Sequence, residues 1–350
     1  MSNDLKHLKF SDIDLLDQFF NSLKNDYPGF EDWFLRRQDK CAYVLYNDED
    51  RLEGLLYLKL ETGPIEDVAP PLHGENILKI GTFKINPHGT RLGERFIKKA
   101  LDYAASQNAS LCYVTIFEKH DALIQLLEEY GFIKHGLKYT ANGEELVLCK
   151  DLRKLTGNMF KDYPLIDARQ SNKYILSIYP KYHSHMFPDS ILKTEKVDIL
   201  DDVSYTNSIH KIYVASMPDI ANLRHKDILV MYRTADEGRS AEYTSVVTAI
   251  CVVDKVKHQS EFINFNEFYE YASTYSIFDK ADLWYWYAKG TCYTIKMTYN
   301  VALSKRIIRH ELIESIGVDR SSYWGILPIT DVQFNEIVQR GVENESIIIN

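Results

Sequence analysis

The segment from Ile77 to Asn108 limits what this chain can fold into more than any other. Strand-forming residues Ile77–Ile85 run into Asn86-Pro87-His88-Gly89-Thr90-Arg91-Leu92-Gly93. A helical pattern starts at once, with Leu92, Phe96, Ile97, Ala100, Leu101 and Ala104 at helical spacing. A helix N-terminus has unpaired N–H groups and positive dipole potential, so a strand–loop–helix of this kind can bind phosphate or pyrophosphate. Gly89 and Gly93 let a ligand approach the backbone, and Arg91 adds a permanent positive charge. An ordinary strand-to-helix turn has the same outline, and the spacing alone does not separate the two.

The surrounding elements mix hairpins with this unit. Leu5–Phe10 reads as a strand. Ser11 caps a predicted helix whose apolar face is Ile13, Leu15, Leu16, Phe19, Phe20 and Leu23. Pro28-Gly29 breaks the chain before a short helix at Phe30–Gln38. Cys41–Tyr46 and Leu52–Leu60 form a hairpin, and Leu111–Phe117 is a strand. A helix Asp121–Tyr130 stops at Gly131, and strands Phe132–Tyr139 and Leu146–Leu152 follow. The polar, aperiodic stretch 153–171 reads as a linker between a domain at 1–152 and one at 172–350.

A length of 350 residues suits two domains. Net charge is −9, shared as 20 basic against 25 acidic residues up to position 155 and 21 against 25 beyond it. Neither half has the basic excess of a general nucleic-acid binder. The five cysteines include no C-x-x-C pair, which suits a reducing compartment. The start MSNDLKHLKF shows no apolar signal core, and no run approaches the ~20 apolar residues of a membrane span. The chain reads as cytoplasmic, with no membrane partner.

The element order and the loop resemble the GNAT acetyltransferase family over residues 1–152. The family's loop reads Arg/Gln-x-x-Gly-x-Gly/Ala. Here His88 takes the first position, Arg91 the first Gly position and Gly93 the second, so only the last matches. Pro87, the amphipathic helix and Tyr130-Gly131-Phe132 also fit the family. The resemblance implies a mixed-sheet α/β fold with acetyl-CoA as co-substrate. Pyrophosphate would lie on the N–H groups from His88 through Gly89, Thr90, Arg91 and Leu92 to Gly93. The pantetheine arm would follow Phe83–Ile85, where the strand splays from Leu111–Phe117, and His120 replaces an Asn that often precedes the next helix. Transfer is then direct, from thioester to amine, with a backbone N–H stabilising the oxyanion. The family's acid, a Tyr four residues before the Gly of the Gly-Phe pair, is Leu127 here. Tyr130, Tyr113 or water stands in for it. Glu75 and Glu118 are candidate bases, with solvated loop carboxylates as the plain alternative. Tyr130 also reads as core.

Strands dominate the second half: Lys173–Tyr179, Lys211–Ala215, Ile228–Arg233, Tyr243–Val256 and Cys292–Tyr299. Helices fit at Phe265–Ala272, Lys280–Tyr287, Lys305–Ile316 and Asp331–Gln339. This predicts an α+β, β-rich domain with a small closed or half-closed sheet. Residues 211–216, 227–233 and 245–256 resemble the PUA-like superfamily that includes ASCH and EVE domains, a barrel fold. The resemblance implies an RNA or modified-base ligand. Trp284 and Trp286, in the run Trp284-Tyr285-Trp286-Tyr287, offer stacking faces, and Lys305, Arg306 and Arg309 a basic patch. Core packing and a solvated face are the plain alternatives. His183-x-His185 lacks a third ligand at a recognisable spacing, so no metal is expected.

Two functions follow. One is an acetyl-CoA-dependent N-acetyltransferase whose second domain selects the acceptor, RNA-linked (such as a charged tRNA) or another amine. The other is a catalytically degenerate GNAT fold that binds CoA beside an RNA or modified-base reader. A homodimer is left open.

Overall fold

The computed structural model describes residues 5–47, 49–190 and 204–350. The chain divides into two compact units, with the break between Tyr163 and Pro164.

The first unit is a mixed sheet with helices. Its strands are β1 (Lys6–Lys9), β2 (Cys41–Tyr46), β3 (Leu52–Glu61), β4 (Ile77–Ile85), β5 (Leu111–Ile116), β6 (Ile133–Thr140) and β7 (Gly143–Asp151). They lie in the order β1-β2-β3-β4-β5-β7-β6. All neighbours are antiparallel except β4 and β5, which the helix α3 (Leu92–Ser106) connects. Helix α3 buries Leu92, Phe96, Ile97, Ala100, Leu101 and Ala104, the residues its 3.6-residue period singles out. Helix α4 (Asp121–Glu129) follows β5, and its buried Leu127 is part of the core.

The helix expected from Ser11 does not form as one element. Residues 10–12 and 18–20 make single 3₁₀ turns, and only α1 (Asn21–Asp26) is α-helical. Asp14 accepts from the Leu16 N–H at 2.9 Å and Asp17 from the Phe19 N–H at 2.8 Å. These side chains compete for the backbone donors that a helix would use. Leu16 is left 83% exposed, off the predicted apolar face. Helix α2 (Phe30–Leu35) then packs Phe30 and Phe34 with Phe10, Phe20 and Tyr57.

The stretch 153–171 carries more structure than a polar linker. Helix α5 (Met159–Asp162) is capped by Asn158, and Tyr163, Leu165, Ile166 and Ala168 are buried. Strand β8 (Ile166–Asp167) pairs in parallel with β15 (Ile348–Ile349) at the end of the chain.

The second unit is α+β, as the strand-rich sequence predicts. Strands β9 (Lys173–Ile178), β10 (His210–Ala215), β11 (Ile228–Arg233), β12 (Val246–His258), β13 (Tyr293–Ile308) and β14 (Ile326–Ile329) run in the order β10-β13-β12-β11-β9-β14. The two ends of this order are separate strands, so the sheet is not hydrogen-bonded into a ring. Helices α6 (Pro180–Met186), α7 (Ser204–Asn207), α8 (Ala241–Thr244), α9 (Phe265–Ser273), α10 (Lys280–Ala288), α11 (Arg309–Glu314) and α12 (Asp331–Gly341) complete it. The helix expected over Lys305–Ile316 begins only at Arg309. Pairing of Ile307 with Val247 and of Ile308 with Val246 holds Lys305 and Arg306 in β13, a tertiary override of local propensity. Among the described residues no helix is long and apolar enough to cross a membrane.

Candidate functional site

The site starts from a fault in the sheet. β4 pairs with β5 only over Ile77–Ile80, opposite Leu111–Val114. Its remaining residues, Gly81–Ile85, are bonded to β3 alone. Gly81 sits at the turning point: Tyr57 pairs with Thr82 and Leu58 with Ile80, leaving Gly81 as a β-bulge. A bulge bends its strand and raises the local twist, which accounts for the two strands parting here. A Cβ at Gly81 would stand 2.8 Å from the Tyr57 ring, so the bend requires glycine.

The parted strands open a cleft of about 1230 Å³. One wall is the unpaired edge of β4 with the loop that follows. In that loop His88 Nδ1 lies 2.7 Å from the Asn86 carbonyl and its Nε2 lies 3.0 Å from the Thr90 hydroxyl. Nδ1 must then be the donor, and Nε2 accepts from Thr90. Gly89 has φ +84° and Arg91 φ +59°, so two left-handed residues wrap the backbone before α3 starts without a side-chain cap. Phe83, Ile85, His88, Gly89, Thr90, Arg91, Leu92, Gly93 and His120 all line the cleft.

Two of these residues serve differently from the sequence reading. The Arg91 guanidinium is bound to Glu94 at 2.8 Å, and Glu94 is buried beneath the loop. A Cβ on Gly93 would lie 2.6 Å from the Leu126 side chain of α4, so this glycine first provides for helix–helix contact.

The expected acid and bases do not line the cleft. Glu75 is exposed just before β4, at the end of the strand away from the fault, and Glu118 is exposed beyond β5. Tyr130 is 2% exposed, with its hydroxyl 3.4 Å from Glu94, so it is a core residue. Tyr113 is buried too and donates to Glu61 at 2.6 Å.

Other polar groups line the cleft instead. Tyr27 donates to the buried Glu145 at 3.1 Å and stacks on Phe117, the residue after β5. Burial and then the Glu145 charge push the Tyr27 phenol pKa upward. Further along, Arg37 lies over the Trp33 ring at 4.1 Å, and Lys59 and Lys79 face one another across β3 and β4. Burial and then Lys138 push the Lys79 pKa down. Burial alone would raise Glu61, but hydrogen bonds from Lys59 and Tyr113 outweigh it and hold the carboxyl low. Sequence reading missed these residues because they come from five separate elements and match no spacing.

In the second unit the expected binding residues are apart in role. Trp284 is 54% exposed and Tyr285 58%, while Trp286 packs into the core with its indole N–H buried. Arg309 stacks on Trp324 at 4.3 Å. His183 is buried with Nε2 2.7 Å from the Thr248 hydroxyl, and burial pushes its pKa down to about 3. Among the described residues the ligand-type side chains that converge are Glu242, His310 and Glu314, and Arg320 already bonds both carboxylates.

No protein-family model and no curated protein matches the sequence. Solved structures similar to it include the ASCH protein of Zymomonas mobilis, 8% identical over 48% of this chain and 95% of that chain, with a TM-score of 0.33. Another is the NatC complex bound to Gag peptide and CoA, 15% identical over 43% of this chain and 99% of that chain, with a TM-score of 0.31. A third is a GNAT-family acetyltransferase of Streptococcus agalactiae, 16% identical over 39% of this chain and 79% of that chain, with a TM-score of 0.31. Different parts of the chain thus resemble GNAT acetyltransferases and an ASCH protein.

Proposed function

We propose that the first unit binds acetyl-CoA and transfers its acetyl group directly to an amine. The observation that carries this reading is the unpaired β4 edge, Gly81–Ile85, opening beside a left-handed loop and a helix N-terminus within one cleft. Free strand edges bind extended amide chains by backbone hydrogen bonds, and the pantetheine arm is such a chain. The N–H groups of the loop and the first turn of α3 would take the pyrophosphate. The thioester would then lie at the Gly81 bulge, where a backbone N–H can meet the developing oxyanion.

The amine nitrogen forms a bond to the thioester carbonyl carbon. The C–S bond breaks and CoA leaves as thiolate. The nitrogen loses one proton and the thiolate gains one. Tyr27 and Glu145 are a hydrogen-bonded phenol–carboxylate pair lining the cleft beside β5. We assign the proton transfer to this pair, with Glu145 accepting from the amine through Tyr27 or water.

A second reading is CoA binding without transfer. It is favoured by the buried aliphatic Leu127 at the family's Tyr position and by the absence of Glu75, Glu118 and Tyr130 from the cleft lining. Calorimetry with acetyl-CoA, followed by thioester cleavage with a panel of amines, separates the two. Binding with no cleavage on any amine favours the second reading, and no binding defeats both.

For the second unit we propose RNA or modified-base binding through the exposed faces of Trp284 and Tyr285, with Lys289 4.1 Å from the centre of the Tyr285 ring. An RNA-linked amine is then one acceptor that this pairing of units suits.

A further inference from the structure

The end of the cleft beyond the Gly81 bulge contains an arrangement that folding alone disfavours. Lys59 and Lys79 are directly paired across antiparallel strands, and like charges in that position are destabilising. Lys59 is relieved by Glu61 at 2.6 Å. Lys79 is not: among the described residues no carboxylate lies within ion-pair distance of it, and its ammonium sits 5.3 Å from the centre of the Tyr113 ring. It is half-buried, and Lys138 is close enough to lower its pKa further. Glu61 and Asp67 act on Lys79 from beyond ion-pair distance and offset part of the cost; a partly desolvated cation with no direct ion pair still gains from a further negative charge beside it.

Arg37 faces the same space. Its guanidinium lies 4.1 Å from the centre of the Trp33 ring and 5.9 Å from that of Tyr57, and its hydrogen bond is to the Trp33 carbonyl at 2.9 Å. Tyr57 in turn is the ring against which the Gly81 bulge closes. Lys79, Arg37, Trp33, Tyr57 and Gly81 all line the one cleft. Along β4, Lys79 is two residues from Gly81, roughly 7 Å at the rise of a strand.

We propose that the cleft between Arg37 and Lys79 is a subsite for an anionic oxygen group of the acceptor. The amine acetylated would carry a carboxylate or a phosphate a few bonds from its nitrogen. This inference rests on the acetyltransferase reading for the identity of the bound amine. The anion would supply the direct ion pair that Lys79 lacks and would accept from the guanidinium edge of Arg37, while its amine reached back toward the thioester at Gly81. Carboxylate and phosphate share this chemistry, and matched pairs of small amines distinguish them.

The test is calorimetric titration of the full chain, with and without CoA, using glycine against glycinamide and O-phosphoethanolamine against ethanolamine. At least one anionic member should bind tenfold or more tightly than its neutral partner, and the pair that discriminates identifies the group. Lys79→Met should remove most of that preference and leave CoA affinity as in the parent. Because it relieves a like-charge pair, it should also hold or raise the thermal midpoint, which a merely structural lysine would not do. Arg37→Gln is the second variant, should the first lower expression. Equal affinity within both pairs, or a preference that survives both substitutions, overturns the subsite. Failure to bind CoA sinks the acetyltransferase reading instead, and the titration without CoA still decides the anion preference.

Discussion

Gly93 is where the loop and the packing of α3 on α4 can be told apart. The Cβ of an alanine would lie 2.6 Å from Leu126 Cδ2 and 3.5 Å from Ile85 Cδ1. Carbon atoms settle at ~3.5–4.0 Å, so Leu126 must give way by about 1 Å. The atom that must move is the far end of a half-exposed side chain that lines the cleft. It can swing, at about 0.5–1.5 kcal/mol for an off-rotamer torsion. Replacing a helical glycine returns about 0.5–1 kcal/mol. Gly93→Ala should therefore change the urea midpoint little. The displaced Leu126 moves into the cleft, so CoA affinity should fall about fivefold, near 1 kcal/mol. Gly93→Val adds two methyl groups in a nearly fixed rotamer and should cost about 1–3 kcal/mol of affinity. In the double variant Gly93→Ala, Leu126→Ala, affinity should return toward the parent. The assay is CoA titration by calorimetry beside urea unfolding on all four proteins. Unchanged affinity in a folded Gly93→Val protein would refute the CoA site. A loss that Leu126→Ala does not relieve would refute the argument that Leu126 transmits it.

Tyr27→Phe removes the donor to buried Glu145. It should lower stability by about 1–3 kcal/mol and reduce turnover more than CoA affinity; equal turnover by Glu145→Gln and the parent would remove the pair from the proton path. Buried Lys150 donates to the carbonyls of Tyr130 and Lys161, and burial pushes its pKa down to about 8. The unfolded chain then holds a proton that the fold gives up between about pH 8 and the ordinary lysine range near 10.4, so stability should rise with pH through that window. Urea midpoints at pH 7.5 and 9 should show the rise in the parent and a flatter response in Lys150→Met; identical slopes would refute it. For RNA binding, Trp284→Ala should weaken anisotropy-measured affinity for single-stranded RNA severalfold and lower the melt only modestly, for the loss of its contacts with Phe265 and Tyr287, while Trp286→Ala should lower the melt more because its ring packs into the core. If Trp284→Ala binds RNA as the parent does, the exposed face is not the platform.

How far the sequence could be read follows how local each decision is. The strand–loop–helix at 77–106 was legible because glycines, a 3.6-residue apolar period and a strand lie in one continuous segment. All nine loop and strand residues expected at the cofactor come together in the cleft. The polar groups that line the cleft opposite the loop were not legible, because adjacency in sequence does not fix which end of a strand faces the opening. Glu75 and Glu118 flank β4 and β5 in sequence but lie outside the cleft lining. Tyr27 and Glu145, 118 residues apart, meet only after α1 and β7 are in place. The Asp14 and Asp17 turns were readable in principle, since short acidic side chains capture nearby N–H groups, but the apolar period from Ile13 to Leu23 obscured them. Lys305 and Arg306 were misplaced because a strand of 16 residues outruns its own propensity through pairing with β12.

The loop departs from the GNAT pattern that it resembles at Arg91, and other contacts hold its backbone there. At Arg91 the family has glycine, which adopts a left-handed backbone without penalty. Arginine at φ +59° costs on the order of 1–2 kcal/mol. Its guanidinium recovers part of that cost through the 2.8 Å bond to Glu94, whose carboxylate lies in the first turn of α3 and is buried under the loop. A carboxylate there is also favoured by the helix dipole, and Tyr130 approaches its other oxygen at 3.4 Å. Arg91, Glu94 and Tyr130 therefore form a brace that fixes the loop from beneath. On the proposed reading the brace leaves anion binding to the backbone of 88–93, with Arg91 positioning the loop, because an arginine already held by a buried carboxylate gains less from a second anion.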